Sequence, residues 1–376
     1  AMAAAERIFK LLDTAPDITS PAHPRSGDRS GRIEFRHVWF TYQKLTDEQT
    51  AALSACYQTC HPERSEGPAF HAPPTTLSSR PEAAGRSGET PVFAPAHANG
   101  DPALKGTGFR PSVNTPAQTG ASAPEATPDS HPLLREIEWI LRDVSFTIHP
   151  DETAAIVGHT GAGKTTLTAL MMRFYDVQLG QVFVDGVDVR EQDLLALRRR
   201  FGVVLQDPFL FSGNIAQNIR MGSAWITDDE VANAADQVNV GDFIRTLPAQ
   251  FREPVLERGS TLSTGQKQLI SFARALAHRP GILILDEATS SVDTETELRV
   301  RSALERMITG RTSVLIAHRL STIQRADTIL VMHKGKLREQ GTHQELLAHR
   351  GLYYKLYELQ YKDQESPDSA MGILAT

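Results

Sequence analysis

Apolar and polar residues follow two rhythms along this chain. Ile33-Glu34-Phe35-Arg36-His37-Val38-Trp39-Phe40-Thr41-Tyr42 alternates as a half-buried strand does, with high aromatic and β-branched content. Trp139 to Ile148 resumes that alternation. From Thr153 onward the apolar blocks become short and continuous: Ala154-Ala155-Ile156-Val157, Ile282-Leu283-Ile284-Leu285 and Ser313-Val314-Leu315-Ile316, separated by helical stretches such as Leu167 to Tyr175. Strands that do not alternate are buried on both faces, so the pattern predicts an α/β fold in which helices cover a parallel sheet. Ahead of the first strand, Ala3 to Leu12 reads as an amphipathic helix and Asp13 to Ser30 as a polar, proline-containing stretch. Residues 1–32 therefore look like a connector from an upstream domain, and the chain does not begin with methionine.

Between Gln43 and Glu136 both rhythms stop. These residues hold 13 of the 22 prolines and both cysteines but only 12 large apolar side chains, too few to offset the entropy of ordering the segment. The expectation is a disordered, proline-rich insertion with at most one short helix near Thr46 to Leu53. Loop closure grows only logarithmically with length, so a floppy excursion of this kind is tolerated where its ends stay on adjacent strands. Cys56 and Cys60 with His61 lack the second ligand pair of a structural zinc site and read as incidental. A polar C-terminal tail, 363–376, closes the chain.

With 376 residues the chain can bury a substantial core, and two cysteines exclude a disulfide scaffold. Formal net charge is −6, both signs are plentiful, and no basic aromatic patch points to nucleic acid. No run of 18 apolar residues occurs, and the first residues lack the apolar core of a signal peptide.

The sharpest chemical signal is Gly158-His159-Thr160-Gly161-Ala162-Gly163-Lys164-Thr165, which fits G-x-x-x-x-G-K-[ST] between a predicted strand and a predicted helix. Glycines let backbone N–H groups close around phosphate oxygens, and the helix offers its positive end. Lys164 can reach the outer phosphates, and the Thr165 hydroxyl can ligate Mg²⁺. Ile282 to Leu285 then delivers Asp286, a metal-holding carboxylate, and Glu287, the candidate general base. Between these, Leu262-Ser263-Thr264-Gly265-Gln266 precedes Leu269, Phe272 and Leu276 at helical spacing. Ser263 and Gln266 fit a capping box, and an exposed helix start with serine and glycine is also an anion site. One phosphate loop needs no second such site for its own nucleotide, so this one is expected to serve a nucleotide held by another copy.

In this order, Gly158 to Thr166, Leu262 to Gln266 and Ile282 to Glu287 resemble the Walker A, signature and Walker B motifs of an ABC transporter nucleotide-binding domain. The resemblance covers Ile33 to Tyr42 and about Ile137 to Lys362. It implies a P-loop NTPase fold: a parallel-sheet core, an N-terminal antiparallel β subdomain and an α-helical subdomain over about 207–280, interrupted by the long disordered insertion. It implies that Tyr42 stacks on adenine and that Gln206 is the Q-loop glutamine, which touches Mg²⁺ and the membrane domain. Ser290-Ser291-Val292-Asp293 resembles the D-loop, and His318 the switch histidine. Thr264 stands where the family's signature has its middle glycine.

The mechanism so implied is a head-to-tail sandwich of two domains around two Mg-ATP. Each ATP would lie between Lys164, Asp286 and Glu287 of one copy and Ser263, Thr264, Gly265, Gln266 and Asp293 of the other. Ala3 to Asp13 resembles the segment that joins an ABC exporter's last membrane helix to its ATPase domain, and Glu257-Arg258-Gly259 resembles the exporter X-loop. The expected partners are a second ATPase domain, identical or not, and a transmembrane domain in the same polypeptide or a separate subunit, with the ATPase on the cytoplasmic face of the cell (inner) membrane. The competing reading is a soluble, non-transport ABC ATPase, which usually carries two cassettes or a long coiled coil; neither is visible here.

Overall fold

The computed structural model describes residues 18–60, 128, 131–286, 294–316 and 323–365. The expected connector helix over Ala3 to Leu12 lies outside these residues. Strand β1 (Ile33–Phe40) is followed by helix α1 (Asp47–Cys60), and the chain then re-enters the fold through β2 (Leu141–Ile148) and β3 (Thr153–Val157). Next come α2 (Lys164–Met171), β4 (Leu179–Val184), α3 (Leu194–Arg199), β5 (Phe201–Val204), α4 (Ile215–Arg220), α5 (Asp228–Gln237), α6 (Gly241–Thr246) and α7 (Thr264–Ala277). Strand β6 (Ile282–Asp286), α8 (Thr294–Ile308), β7 (Thr312–Ile316), β8 (Thr328–His333), β9 (Lys336–Gly341), α9 (His343–His349) and α10 (Leu352–Glu365) complete it.

Among the described residues, six strands form one sheet in the order β9-β8-β3-β7-β6-β5. All pairings in it are parallel except β8 with β9. A second, antiparallel sheet has the order β2-β1-β4, continued by the two-residue strand Val187–Asp188. The expected α/β architecture with a parallel-sheet core, an antiparallel subdomain and a helical subdomain is what the chain adopts.

Alternation decides the layers. Residues Ala155, Val157, Leu283, Leu285, Leu315, Ile329 and Val331 pack with the helices of the 215–277 region and with Val300, Ala303 and Met307 of α8. Their neighbours Ala154, Ile156, Ile282, Ile284, Val314, Leu330 and Met332 pack on the opposite face, against Leu167, Leu170 and Met171 of α2 and the antiparallel sheet. Successive side chains of a strand point to opposite faces, so continuous apolar blocks were required to fill both cores.

The expectation of disorder across 43–136 is corrected at both ends of that stretch. Thr46 and Gln49 cap α1 reciprocally, Gln49 N donating to Thr46 Oγ1 at 3.2 Å and Thr46 N to Gln49 Oε1 at 3.0 Å. The helix continues to Cys60 rather than ending near Leu53. Leu53 and Cys56 are buried with Trp39, Leu134, Ile137 and Trp139 in a third apolar cluster. The two indole rings meet edge to face at 5.4 Å, and Trp139 Nε1 donates to Leu134 O at 3.3 Å. Burial also pushes the Cys56 thiol pKa up, away from the reactive thiolate. Leu45, Leu53, Cys56 and Leu134 stand at the two ends of this apolar-poor stretch, beside the tryptophans, so the ends bury apolar surface. Residues 61–127 lie outside the described residues, as does the imagined ligand His61.

Residues 18–31 are bound to the domain by polar contacts. Ser20 Oγ donates to Asp193, Arg25 pairs with Glu191 at 2.7 Å, and Asp28 N donates to Asp185 O at 3.1 Å. Asp185 and Gly186, both at positive φ (53° and 78°), turn the chain between β4 and Val187–Asp188, the backbone that an Asp-Gly hairpin favours.

Candidate nucleotide site

The 158–165 loop leaves the C-terminal end of β3 and enters α2. Gly158 lies at φ 151°, and a Cβ there would run into the carbonyl oxygen of Met332 on β8. Gly163 caps α2 at φ 100°, where a Cβ would stand 2.7 Å from Leu141 Cδ2. Glycine at these two positions therefore follows from backbone conformation and close approach together. The first backbone N–H groups of α2 have no partner within the helix and face the loop. Lys164 is buried, and its Nζ donates to the carbonyls of Gly158 (2.7 Å) and His159 (3.1 Å), so the ammonium folds back over the loop. His159, Thr160, Gly161 and Thr165 are exposed around it, and Ala162 and Thr166 are buried.

Strand register brings further groups to the same end of the sheet. Ile156 on β3 pairs with Ile316 on β7, which pairs with Asp286 on β6. Asp286 thus stands two strands, about 10 Å, from the β3 backbone that feeds the loop. Val204 on β5 pairs with Leu285, so exposed Gln206 follows β5 beside the end of β6. This is the carboxyl edge of the strands, where ligands of open α/β sheets bind. Glu287, Asp293 and His318 lie outside the described residues.

Tyr42 follows β1. Its hydroxyl bonds Thr166 Oγ1 in the first turn of α2 at 3.1 Å, and its ring meets Phe40 and Tyr175 edge-on at 4.8 and 5.0 Å. It is nevertheless 52% exposed. Gln178 clamps the preceding residue, accepting from Thr41 N and donating to Thr41 O, each at 2.9 Å. Nothing local in the sequence singles out Gln178 or Tyr175, because each acts across more than 130 residues.

Ser263 is the N-cap of α7 and makes the expected capping box. Gln266 N donates to Ser263 Oγ at 3.2 Å, and Ser263 N to Gln266 Oε1 at 2.9 Å. Ser263 and Thr264 are exposed and Gly265 is buried. Just before them, Arg258 turns the Glu257–Gly259 segment at φ 54°.

An exposed apolar patch lies beside Gln206: Leu205, Phe209 and Phe211, the two phenylalanine rings edge to face at 4.9 Å. Its backbone is held by Asn218, which exchanges two 2.8 Å hydrogen bonds with Phe211, and by Arg274, which donates to Phe209 O and Asn218 O. Burial pulls the Arg274 guanidinium pKa below its usual value. Only the signal Phe209-Leu210-Phe211, two aromatics one strand period apart, was available to find this patch.

A strand, a glycine loop and a helix with a lysine folded over the loop define a P-loop nucleotide-binding domain. Residues 141–290 match the model of the ABC transporter family, and this segment is an ABC transporter nucleotide-binding domain. Over 232 residues the chain is 50% identical to a probable multidrug resistance ABC transporter ATP-binding/permease protein of Bacillus subtilis, covering 62% of this chain and 34% of that protein. It is 49% identical over 226 residues to an ATP-dependent lipid A-core flippase of Syntrophus aciditrophicus, covering 60% of this chain and 38% of the flippase. Among solved structures it resembles a bacterial Atm1-family ABC exporter with ATP bound, with TM-score 0.65 and 29% identity, over 96% of this chain and 47% of that one. The chain thus spans between a third and a half of the length of these relatives. Among the described residues no helix is long and apolar enough to cross a membrane.

Proposed function

We propose that this chain binds and hydrolyses Mg-ATP as the motor of an ABC exporter at the cytoplasmic face of a membrane. The observation that carries the reading is the strand register, which lines up the 158–165 loop, Asp286 and Gln206 at one edge of the parallel sheet. In this reading Tyr42 stacks on the base, and the loop amides from Gly158 to Thr166 surround the phosphates. Lys164 moves from the loop carbonyls to the outer phosphates. Thr165, Gln206 and Asp286 offer hydroxyl, amide and carboxylate oxygens, the hard donor set that suits Mg²⁺. The metal, when bound, would neutralise charge developing on the phosphoryl oxygens. Glu287 orients and deprotonates the attacking water, and His318 holds the γ-phosphate.

Ser263 to Gln266 and Asp293 complete the nucleotide site of a second copy. The exposed start of α7 supports this, since Ser263 there is held by its cap and points to solvent rather than into its own chain's loop. Closure of two such domains would assemble the sites and hydrolysis would release them. The rigidly held patch of Leu205, Phe209 and Phe211 suits docking of a transmembrane domain next to Gln206, so that nucleotide contact and membrane contact share one loop.

Glu287→Gln tests the sandwich. The variant is expected to keep ATP affinity, lose turnover and double its mass by light scattering at saturating Mg-ATP. A persistent monomer under those conditions would overturn the head-to-tail arrangement.

A further inference from the structure

The inserted segment begins only a few residues after Tyr42, and its first helix is packed, not loose. We propose that α1 is a positioning element for Tyr42, so that the start of the insertion contributes to recognition of the nucleotide base. The inference rests on the reading of Tyr42 as the base-stacking residue.

Tyr42 is exposed, yet the chain on either side of it is anchored. Upstream, Trp39 is buried, its carbonyl accepts from Gln178 N at 3.2 Å, Phe40 O accepts from Ile140 N at 2.9 Å, and Thr41 sits in the Gln178 clamp. Immediately downstream, Gln43 N donates to Thr41 Oγ1 at 3.1 Å, and Leu45 packs on the third cluster. That cluster is closed by Leu53 and Cys56 of α1, with Leu53 only 1% exposed against the tryptophans. The backbone carrying Tyr42 is therefore stretched between two fixed points, and the second is completed by the seating of α1 on the tryptophans. A side chain held in its binding position before the ligand arrives avoids the ordering cost that a mobile one meets on binding. Loosening α1 should weaken the contact that Tyr42 makes with the base, while the phosphate loop keeps its own anchors in β3 and α2 and loses at most the Tyr42–Thr166 hydroxyl contact.

The difference between two ligands isolates this. Mg-ATP has a base, and Mg-tripolyphosphate carries the same phosphates without one. Titration calorimetry on the full chain with Leu53→Ala should show ATP affinity falling roughly fivefold, with tripolyphosphate unchanged. Leu53→Met, which conserves volume, should restore the ATP value. Thr46→Ala removes only the α1 cap, opens no cavity, and should give the same selective loss to a smaller degree, which keeps the test open if Leu53→Ala does not fold. Tyr42→Ala serves as the reference, expected to cost roughly tenfold for ATP alone.

Equal loss for both ligands in the α1 variants would mean general destabilisation and overturn the proposal, as would no loss for either. A selective effect of Tyr42→Ala with silent α1 variants sinks the proposal and keeps the stacking role. A silent Tyr42→Ala removes the stacking role, and the proposal falls with it.

Discussion

Lys164→Ala is expected to lower Mg-ATP hydrolysis by about 100- to 1000-fold, the range found when one preorganised donor to developing charge is removed. The structure makes this a clean test. The ammonium is gathered over the loop by the carbonyls of Gly158 and His159. Its removal leaves two carbonyl oxygens without that donor in a loop that opens to solvent at His159, Thr160 and Gly161. The fold, whose cores lie on either side of the sheet, should therefore persist by circular dichroism. Hydrolysis within tenfold of the parent would show that the loop does not hold the reacting phosphates.

Asp185→Ala should cost the domain about 2 kcal/mol, read as a lower denaturation midpoint, because it removes a buried carboxylate that accepts charge-assisted hydrogen bonds from the part-buried Arg200. The carboxylate is 3% exposed and accepts from Arg200 Nε (2.6 Å), from Arg200 Nη2 (3.2 Å) and from Gly31 N (2.6 Å). Arg200 also donates to Arg29 O at 2.9 Å, and its own carbonyl accepts from Ile282 N at the start of β6. One ion pair thus joins the incoming segment, the antiparallel sheet and the parallel sheet. The same variant should speed tryptic cleavage at Arg25, Arg29 and Arg32, since Asp28 and Gly31 lose their anchor or its orientation. Asp185→Asn tolerates the positive φ and keeps a hydrogen-bonding carbonyl, so it should fall between parent and Asp185→Ala. An unchanged midpoint in Asp185→Ala would show that the joint contributes nothing to stability.

Local chemistry is legible in short stretches of the chain. The glycines of 158–163 announced a loop whose amides can close around phosphate, and Gly158, Gly161 and Gly163 take the positive φ that such a turn uses. Ser263 and Gln266 announced a helix start, and α7 begins there. The unbroken apolar blocks announced strands buried on both faces, and their alternate residues fill two separate cores. Two further capping boxes, Thr227 with Glu230 and Thr342 with Glu345, open α5 and α9. Each of these features is set by neighbours within a few residues, where backbone sterics and side-chain period act directly.

The phosphate loop, the capped start of α7 and the two-faced strands are short-range consequences of residue type and spacing. Long-range packing decided that β3 lies between β8 and β7, that Asp286 and Gln206 share an edge with the 158–165 loop, that Gln178 holds Thr41, and that Asp185 meets Arg200 and Gly31. It also decided that α1 has a place to pack, since Leu53 and Cys56 are apolar in any conformation but bury their surface only when Trp39 and Trp139 are brought together from 100 residues apart. Such pairings are chosen by which long-range closure buries the most apolar surface and satisfies the most buried polar groups, a property of the whole chain that no local period records.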